Sequence, residues 1–334
     1  MSHNEIVSLL NVPENASLGA NLSWLKRYLD SIEPTDVLQN LSIHLYQKDD
    51  PRQPPLIYNP SGQDPQRQDD CTAYPILYQR QKIGEIYYCG KQQFALLIAQ
   101  MAKKIALLAR RFQANILSSY YLGRELPANG LSEAAFTLDA FIEKAASARC
   151  PVVIKGGFGS EKLAVACAIH YNSPNKHRPF VEINCALTTT EAFKLQLSTC
   201  FKQAPGGCVY FHGIDELSFS QQSLLIELLA ANTLHSEPKH PQINTTDIRL
   251  LLSTTQSLSR LVEHNTFSRQ LYAELNFLHT TIPPLVQRKE DIDDILVGRI
   301  KQHRLFPEQE LSTEAKAQFQ NYHWPENDLE LERT

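Results

Sequence analysis

Any chemistry in this chain should centre on Gly156-Gly157-Phe158-Gly159-Ser160-Glu161-Lys162-Leu163. A short apolar run, Val152-Val153-Ile154, leads into this segment, and a helical stretch through Ala164–Ile169 follows it. In a glycine-rich turn between a strand and a helix, backbone N–H groups converge and the helix dipole favours a phosphate. The strict pattern for such a loop is G-x-x-x-x-G-K-[ST]. Here only its first glycine, Gly156, and its lysine, Lys162, are kept. Gly156, Gly157, Gly159, Ser160 and Lys162 are therefore the residues that would bind a nucleotide phosphate. By itself the turn is a weak signal, and Lys162 reads equally well as a solvated lysine on a first helical turn.

The elements that must position this turn fall into three stretches. In residues 1–90, Leu22 to Ile32 has helical spacing and Leu41–Tyr46 alternates like a strand. Pro51 to Asp70 reads as a loop, and Tyr74–Tyr78 and Ile83–Tyr88 flank a polar Gln79–Lys82 turn as a hairpin would. From about Lys91 to Leu117 a helix is expected, because Phe94, Ile98, Met101, Ile105, Leu108 and Phe112 step by four and three residues. Such a seam serves either to cover the small sheet or to join a second copy in a dimer. From about Leu122, strands at Val152–Ile154, Pro179–Ile183, Cys208–Phe211 and Ile248–Leu252 alternate with helices, including 221–230 and 291–304. That alternation predicts an α/β fold with a parallel sheet.

The surroundings of the turn carry a resemblance. Ala168-Ile169-His170 and Pro179-Phe180-Val181-Glu182-Ile183-Asn184-Cys185-Ala186-Leu187 come first. Gly206-Gly207, Ile214, Glu216-Leu217 and Leu224-Leu225 follow, then Phe267, Leu271-Tyr272, Leu275-Asn276, Pro283-Pro284-Leu285, Arg288, Glu290-Asp291-Ile292, Trp324-Pro325 and Asn327. In this order they resemble the AAA+ domain of sigma-54-dependent transcriptional activators, over about Leu122 to Glu332. The resemblance implies a P-loop-type α/β domain at 122–285 with a small C-terminal helical lid subdomain at 286–334. A small α+β domain at 1–90 and a helical linker at 91–121 would precede them. The Ile76–Tyr88 hairpin with Ile83-Gly84, followed by Phe94 at the head of a long helix, resembles a shortened GAF-type sensor domain.

The same register implies that the chemistry is missing. The family's last loop glycine aligns with Glu161, whose carboxylate, if it faced a phosphate at ~4 Å, would cost roughly 4 kcal/mol at an effective dielectric of ~20. The Asp-Glu pair that holds Mg²⁺ and polarises water aligns with His212-Gly213, and neither residue suits those tasks. Nearby Asp215-Glu216 is not expected to substitute, since Glu216 matches a glutamate the family carries there. The sensor asparagine aligns with Thr255, the two arginine fingers with Ser268 and Glu274, and the sensor arginine with Leu329. Between the N-C-A-L run and the Gly-Gly strand, Thr188 to Pro205 is too short for the family's G-A-F-T-G-A loop. The expectation is an inactive ATPase: no catalytic residue, no metal, no cofactor, and ATP binding in doubt.

Composition narrows the rest. The 334 residues are 43% hydrophobic and 20% charged, with net charge −4, which gives no electrostatic reason to expect nucleic acid or an acidic membrane. No stretch approaches the ~18 apolar residues of a membrane span, and no signal peptide is read at Met1–Glu5, so the expected location is cytoplasmic. Seven scattered cysteines without a C-x-x-C pair fit reduced thiols. Family members that lack the sigma loop carry a DNA-binding helix-turn-helix, and this chain, ending at Thr334, is expected to hold none. The expected partner is a protein, either a second copy or an active AAA+ relative; the alternative is a module that binds a nucleotide or other small ligand without hydrolysis.

Overall fold

The computed structural model describes residues 23–33, 35–46, 56–59, 71–127, 130–186, 189–234, 248–303 and 312–333. The chain divides into two compact units, 1–125 and 126–334.

In the first unit, helix α1 (Ser23–Asp30) and a short α2 (Asp36–Gln39) precede four strands, β1 (Leu41–Leu45), β2 (Leu56–Tyr58), β3 (Thr72–Tyr78) and β4 (Gln81–Tyr88). They form an antiparallel sheet in the order β2-β1-β4-β3. The expected hairpin is present with a tighter turn than the four polar residues suggested. Only Gln79 and Arg80 connect the strands, and both have positive φ, as a two-residue type I′ turn demands. Strand β2 corrects the reading of 51–70 as all loop, and residues 51–55 and 60–70 lie outside the described residues. All five residues of β1 are buried, so the expected alternation is one of side-chain type and not of exposure.

The long helix α3 (Ala95–Leu122) ends on Gly123, whose φ of 63° closes the helix in the left-handed conformation. Its seam packs within its own unit, against β3, β4 and α1. Ile98, Met101, Ile105 and Leu108 are all buried there, and Phe112 stacks on Trp24 of α1. This corrects the dimer expectation for Phe94, Ile98, Met101, Ile105, Leu108 and Phe112: the apolar surface is already consumed by the sheet and α1.

A second correction concerns the thiols. Cys71 and Cys89 are joined as a disulfide, their Cα atoms 4.2 Å apart. The β3–β4 register pairs Thr72 with Tyr88, so the residues just beyond that pair lie opposite one another. Closing a loop of this size stabilises a chain by about 3 kcal/mol. Cys71→Ser should therefore lower the denaturation midpoint of the first unit, and added reductant should reproduce the shift in the wild type. An unchanged midpoint in both would count against the bond. Cys167, Cys185, Cys200 and Cys208 are outside any disulfide and buried, as small apolar side chains would be.

The second unit is an α/β layer. Helix α4 (Glu133–Ser147) precedes β5 (Val152–Lys155), α5 (Lys162–Tyr171), β6 (Phe180–Asn184), α6 (Thr190–Gln203), β7 (Cys208–His212), α7 (Phe219–Leu234) and β8 (Arg249–Thr254). Two short helices, α8 (Leu258–Glu263) and α9 (Arg269–Leu275), lead to β9 (Leu278–Thr281). The five strands are all parallel in the order β6-β7-β8-β5-β9. One face of the sheet packs Val153, Ile183, Val209, Phe211, Leu250 and Leu252 against α6, α7, α8 and α9. Helices α4 and α5 contribute nothing to that cluster and pack on each other and on β5, β7, β8 and β9. Helices α10 (Ile292–His303), α11 (Thr313–Asn321) and α12 (Asn327–Arg333) close the chain around Leu285, Ile292, Ile295, Leu296, Trp324 and Leu331. Among the described residues, no helix is long and apolar enough to cross a membrane.

Candidate functional site

In a parallel sheet the carboxyl ends of the strands form the natural crevice for ligands. The order β7-β8-β5 places His212, Thr254-Thr255 and Gly156 side by side at that edge. Sequence reasoning selected these positions, and the structure brings them together.

The turn after β5 is closed by its own groups. Gly156 N–H donates to Thr254 O (3.0 Å), and Ser160 donates through both N–H and Oγ to Gly157 O (3.2 and 2.7 Å). Lys162 begins α5 and turns its ammonium back into the turn. Its Nζ donates to Gly156 O (3.1 Å), Gly157 O (2.8 Å) and Ser160 Oγ (3.4 Å). Burial pushes the Lys162 ammonium below the ordinary lysine range, against the opposing pull of the Asp215 and Glu161 carboxylates. The cation is thus held where a phosphate would meet it, by carbonyls that a phosphate does not need.

The helical subdomain lies directly on this turn. Asn327 Nδ2 donates to Phe158 O (2.8 Å), and Leu329 N–H donates to Gly159 O (3.2 Å). Gly159 has φ +71°, and a Cβ there would stand 1.8 Å from Glu326 O, so glycine is required by backbone conformation and by close approach. Glu161 does not face the turn. Its Oε1 accepts from Arg299 Nη2 at 2.6 Å, and Arg299 Nη1 lies 3.4 Å from Glu332. Burial raises the Glu161 carboxyl, with Arg299 acting in the opposite direction. Beside the turn, a crevice lined by Ala134, Leu138, Val165, Ile282 and Arg288 has room for about one water molecule.

At the positions that the sequence reading assigned to metal and water, the residues bond within the fold. His212 Nε2 lies 2.7 Å from Glu182 Oε2 on the neighbouring strand. Gly213 takes φ +66°, and its N–H donates to Ser253 Oγ (3.1 Å). Thr255 donates through N–H and Oγ1 to Asp215 Oδ2 (3.2 and 2.8 Å). Asp215, not expected to substitute for the missing pair, is with Glu161 one of the two acids whose charge reaches Lys162, and its Oδ1 is buried without a partner. Mg²⁺ wants several hard oxygen ligands. Among the described residues, no three His, Cys, Asp or Glu side chains converge as metal ligands.

The remaining positions disperse. Ser268 caps α9, its Oγ accepting from Leu271 N–H and its N–H donating to Gln222 Oε1 (2.7 Å). Glu274 is exposed on α9, as is Arg269 at its start. Leu329 meets the turn through its backbone and its Cβ, and it carries no charge. The segment between β6 and the Gly206-Gly207 turn is taken up by α6, and residues 187 and 188 lie outside the described residues. Arg299 is a site residue that the sequence did not disclose, and Asp215, weighed there only as a substitute for the Asp-Glu pair, was not expected to bond Thr255. Neither lies in a motif, and only folding brings them to the turn.

Residues 129–281 match the family model described as the Sigma-54 interaction domain. The chain is 34% identical over 209 residues to the nitrogen fixation protein AnfA of Azotobacter vinelandii, covering 57% of this chain and 39% of that protein. It is 28% identical over 324 residues to VnfA of the same organism, covering 84% of this chain and 62% of that one. Thus the chain spans between two fifths and two thirds of these curated relatives. Among solved structures, NtrX from Brucella abortus in complex with ADP superposes with a TM-score of 0.56 at 25% identity, over 73% of this chain and 57% of that one.

Proposed function

We propose that this chain is a transcriptional regulator that does not hydrolyse ATP and acts by binding another protein, a reading that starts from the match of residues 129–281 to the Sigma-54 interaction domain. The observation that carries the reading is the set of side chains at the positions that the register assigns to ATP chemistry. His212, Gly213, Thr255, Ser268, Glu274 and Leu329 stand at the positions for metal, base, sensors and fingers, and none has the chemistry required. The partner is a second copy or an active AAA+ relative, joined through the α/β layer that the fold retains. Remodelling of a sigma-54 polymerase is not part of the proposal, because the loop that would contact sigma is absent from 189–205, where α6 runs instead. The first unit is read as a GAF-like sensor, and the protein as cytoplasmic.

A second reading, a module that binds nucleotide without turnover, is favoured by one feature, the retained Lys162 over Gly156, Gly157 and Gly159. Calorimetry with ATP, GTP and cyclic dinucleotides separates the two. The first reading expects no heat above dilution from any of them. Binding in the wild type that Lys162→Ala abolishes would replace it with the second. For the partner, sedimentation of this chain mixed with an active sigma-54 activator should show co-migration, and separate boundaries at all ratios would remove that partner.

A further inference from the structure

The phosphate turn is joined to the helical subdomain by the chain's own charges. A ligand phosphate at the start of α5 would sit on the helix dipole and draw a neighbouring cation to itself. In this chain the neighbouring cation is Arg299 of α10, and it already has an anion. Glu161, the residue immediately before α5, takes Arg299 Nη2 at 2.6 Å. We propose that the Glu161–Arg299 pair is an internal latch, replacing a bound phosphate as the link that fixes the helical subdomain to the turn.

Three observations support the latch independently of any motif. The pair is sheltered, with side-chain exposures of 10% for Arg299 and 28% for Glu161, so solvent screens it less than a surface ion pair. Glu332 of α12 meets the same guanidinium, which ties α10, α12 and the turn at one point. The backbone is seated beneath it: Leu329 N–H donates to Gly159 O, Asn327 Nδ2 to Phe158 O, and Glu326 O fills the space beside the Gly159 Cα. Closure therefore needs no ligand. Lys162 is satisfied in the same manner, by the carbonyls of Gly156 and Gly157. The latch rests on the reading that the domain works without nucleotide hydrolysis, but the two can fail separately.

Hydrogen–deuterium exchange on the whole chain tests it, comparing wild type, Glu161→Gln, Arg299→Ala and the double variant. A charge-assisted bond removed from a local closing equilibrium should speed exchange of the 327–333 amides by about tenfold or more. The β7 and β8 amides should be unchanged, and the double variant should be no faster than the quicker single one. Glu161→Gln preserves side-chain shape, so it keeps the test open if Arg299→Ala does not fold. Exchange at 327–333 that stays within about twofold of wild type in Glu161→Gln would overturn the latch. So would protection of those amides in the wild type on adding ATP, since a ligand would then be the link. ATP turnover by the wild type with the exchange result as expected would instead overturn only the reading that it does not hydrolyse ATP.

Discussion

With ATP or GTP, and with or without Mg²⁺, a steady-state phosphate-release assay on this chain should return no turnover above the blank. The expectation rests on several independent losses. One arginine finger alone is worth roughly 10³–10⁵ in rate, and both positions, Ser268 and Glu274, lack a guanidinium. On the proposed register the water-activating position is Gly213, which has no side chain, and the metal position is His212, whose imidazole sits against Glu182. Because these defects act on different steps, repairing one leaves the others in force. His212→Asp with Gly213→Glu should therefore remain inactive. That double variant should also be less stable, because a residue with a Cβ at φ +66° is strained by roughly 1–2 kcal/mol. Turnover of about 1 s⁻¹ in the wild type, the low end of ordinary enzyme rates, would end the proposal.

The sheet of the second unit was readable because its strands are short apolar runs between turn signals. Val152–Ile154, Cys208–Phe211 and Leu250–Leu252 are buried throughout, and Phe180–Ile183 is buried at its two ends. Strand β9 was not readable. Leu278-His279-Thr280-Thr281 has one apolar residue in four, and only its pairing with β5 makes it a strand. The candidate site was legible at the positions that follow strands, since the strand ends fix where Gly156, His212 and Thr255 go. It was not legible where a remote helix arrives. Nothing around Arg299 marks it as a partner of Glu161, 138 residues earlier, and nothing at Asp215 announces the bond from Thr255. The seam of α3 shows the opposite limit. Its spacing was read correctly, yet spacing alone does not say whether the surface that buries it belongs to the same chain.

Replacing Arg288 by alanine should produce the largest loss of stability of any single change near the site. Arg288 Nη2 donates to Asp328 Oδ2 at 2.6 Å, with side-chain exposures of 7% and 4%. Its Nε donates to Pro283 O (3.2 Å), so one guanidinium joins the segment after β9 to α12. Burial raises the Asp328 carboxyl while Arg288 pulls it down. Without Arg288 the burial effect is opposed only by Arg299 and a backbone hydrogen bond, and breaking such a pair costs about 3–5 kcal/mol. For a unit of this size that corresponds to a fall in Tm of about 10 °C. The sign of its pH dependence follows. A carboxyl whose folded pKa lies further above its unfolded value stabilises the fold below the unfolded pKa, and that contribution is lost as pH rises through the folded value. The deficit of Arg288→Ala against wild type should therefore be greatest near neutral pH and shrink as pH falls towards about 4. The pair removed together should cost less than Arg288→Ala alone, because the double change leaves no buried charge unpaired. The neighbouring Asn327 donates to Phe158 O and accepts from Leu285 N–H, so the same variant should also loosen the phosphate turn. A Tm within about 2 °C of wild type at pH 7 would show that the pair, though buried, is not what holds α12 to the α/β layer.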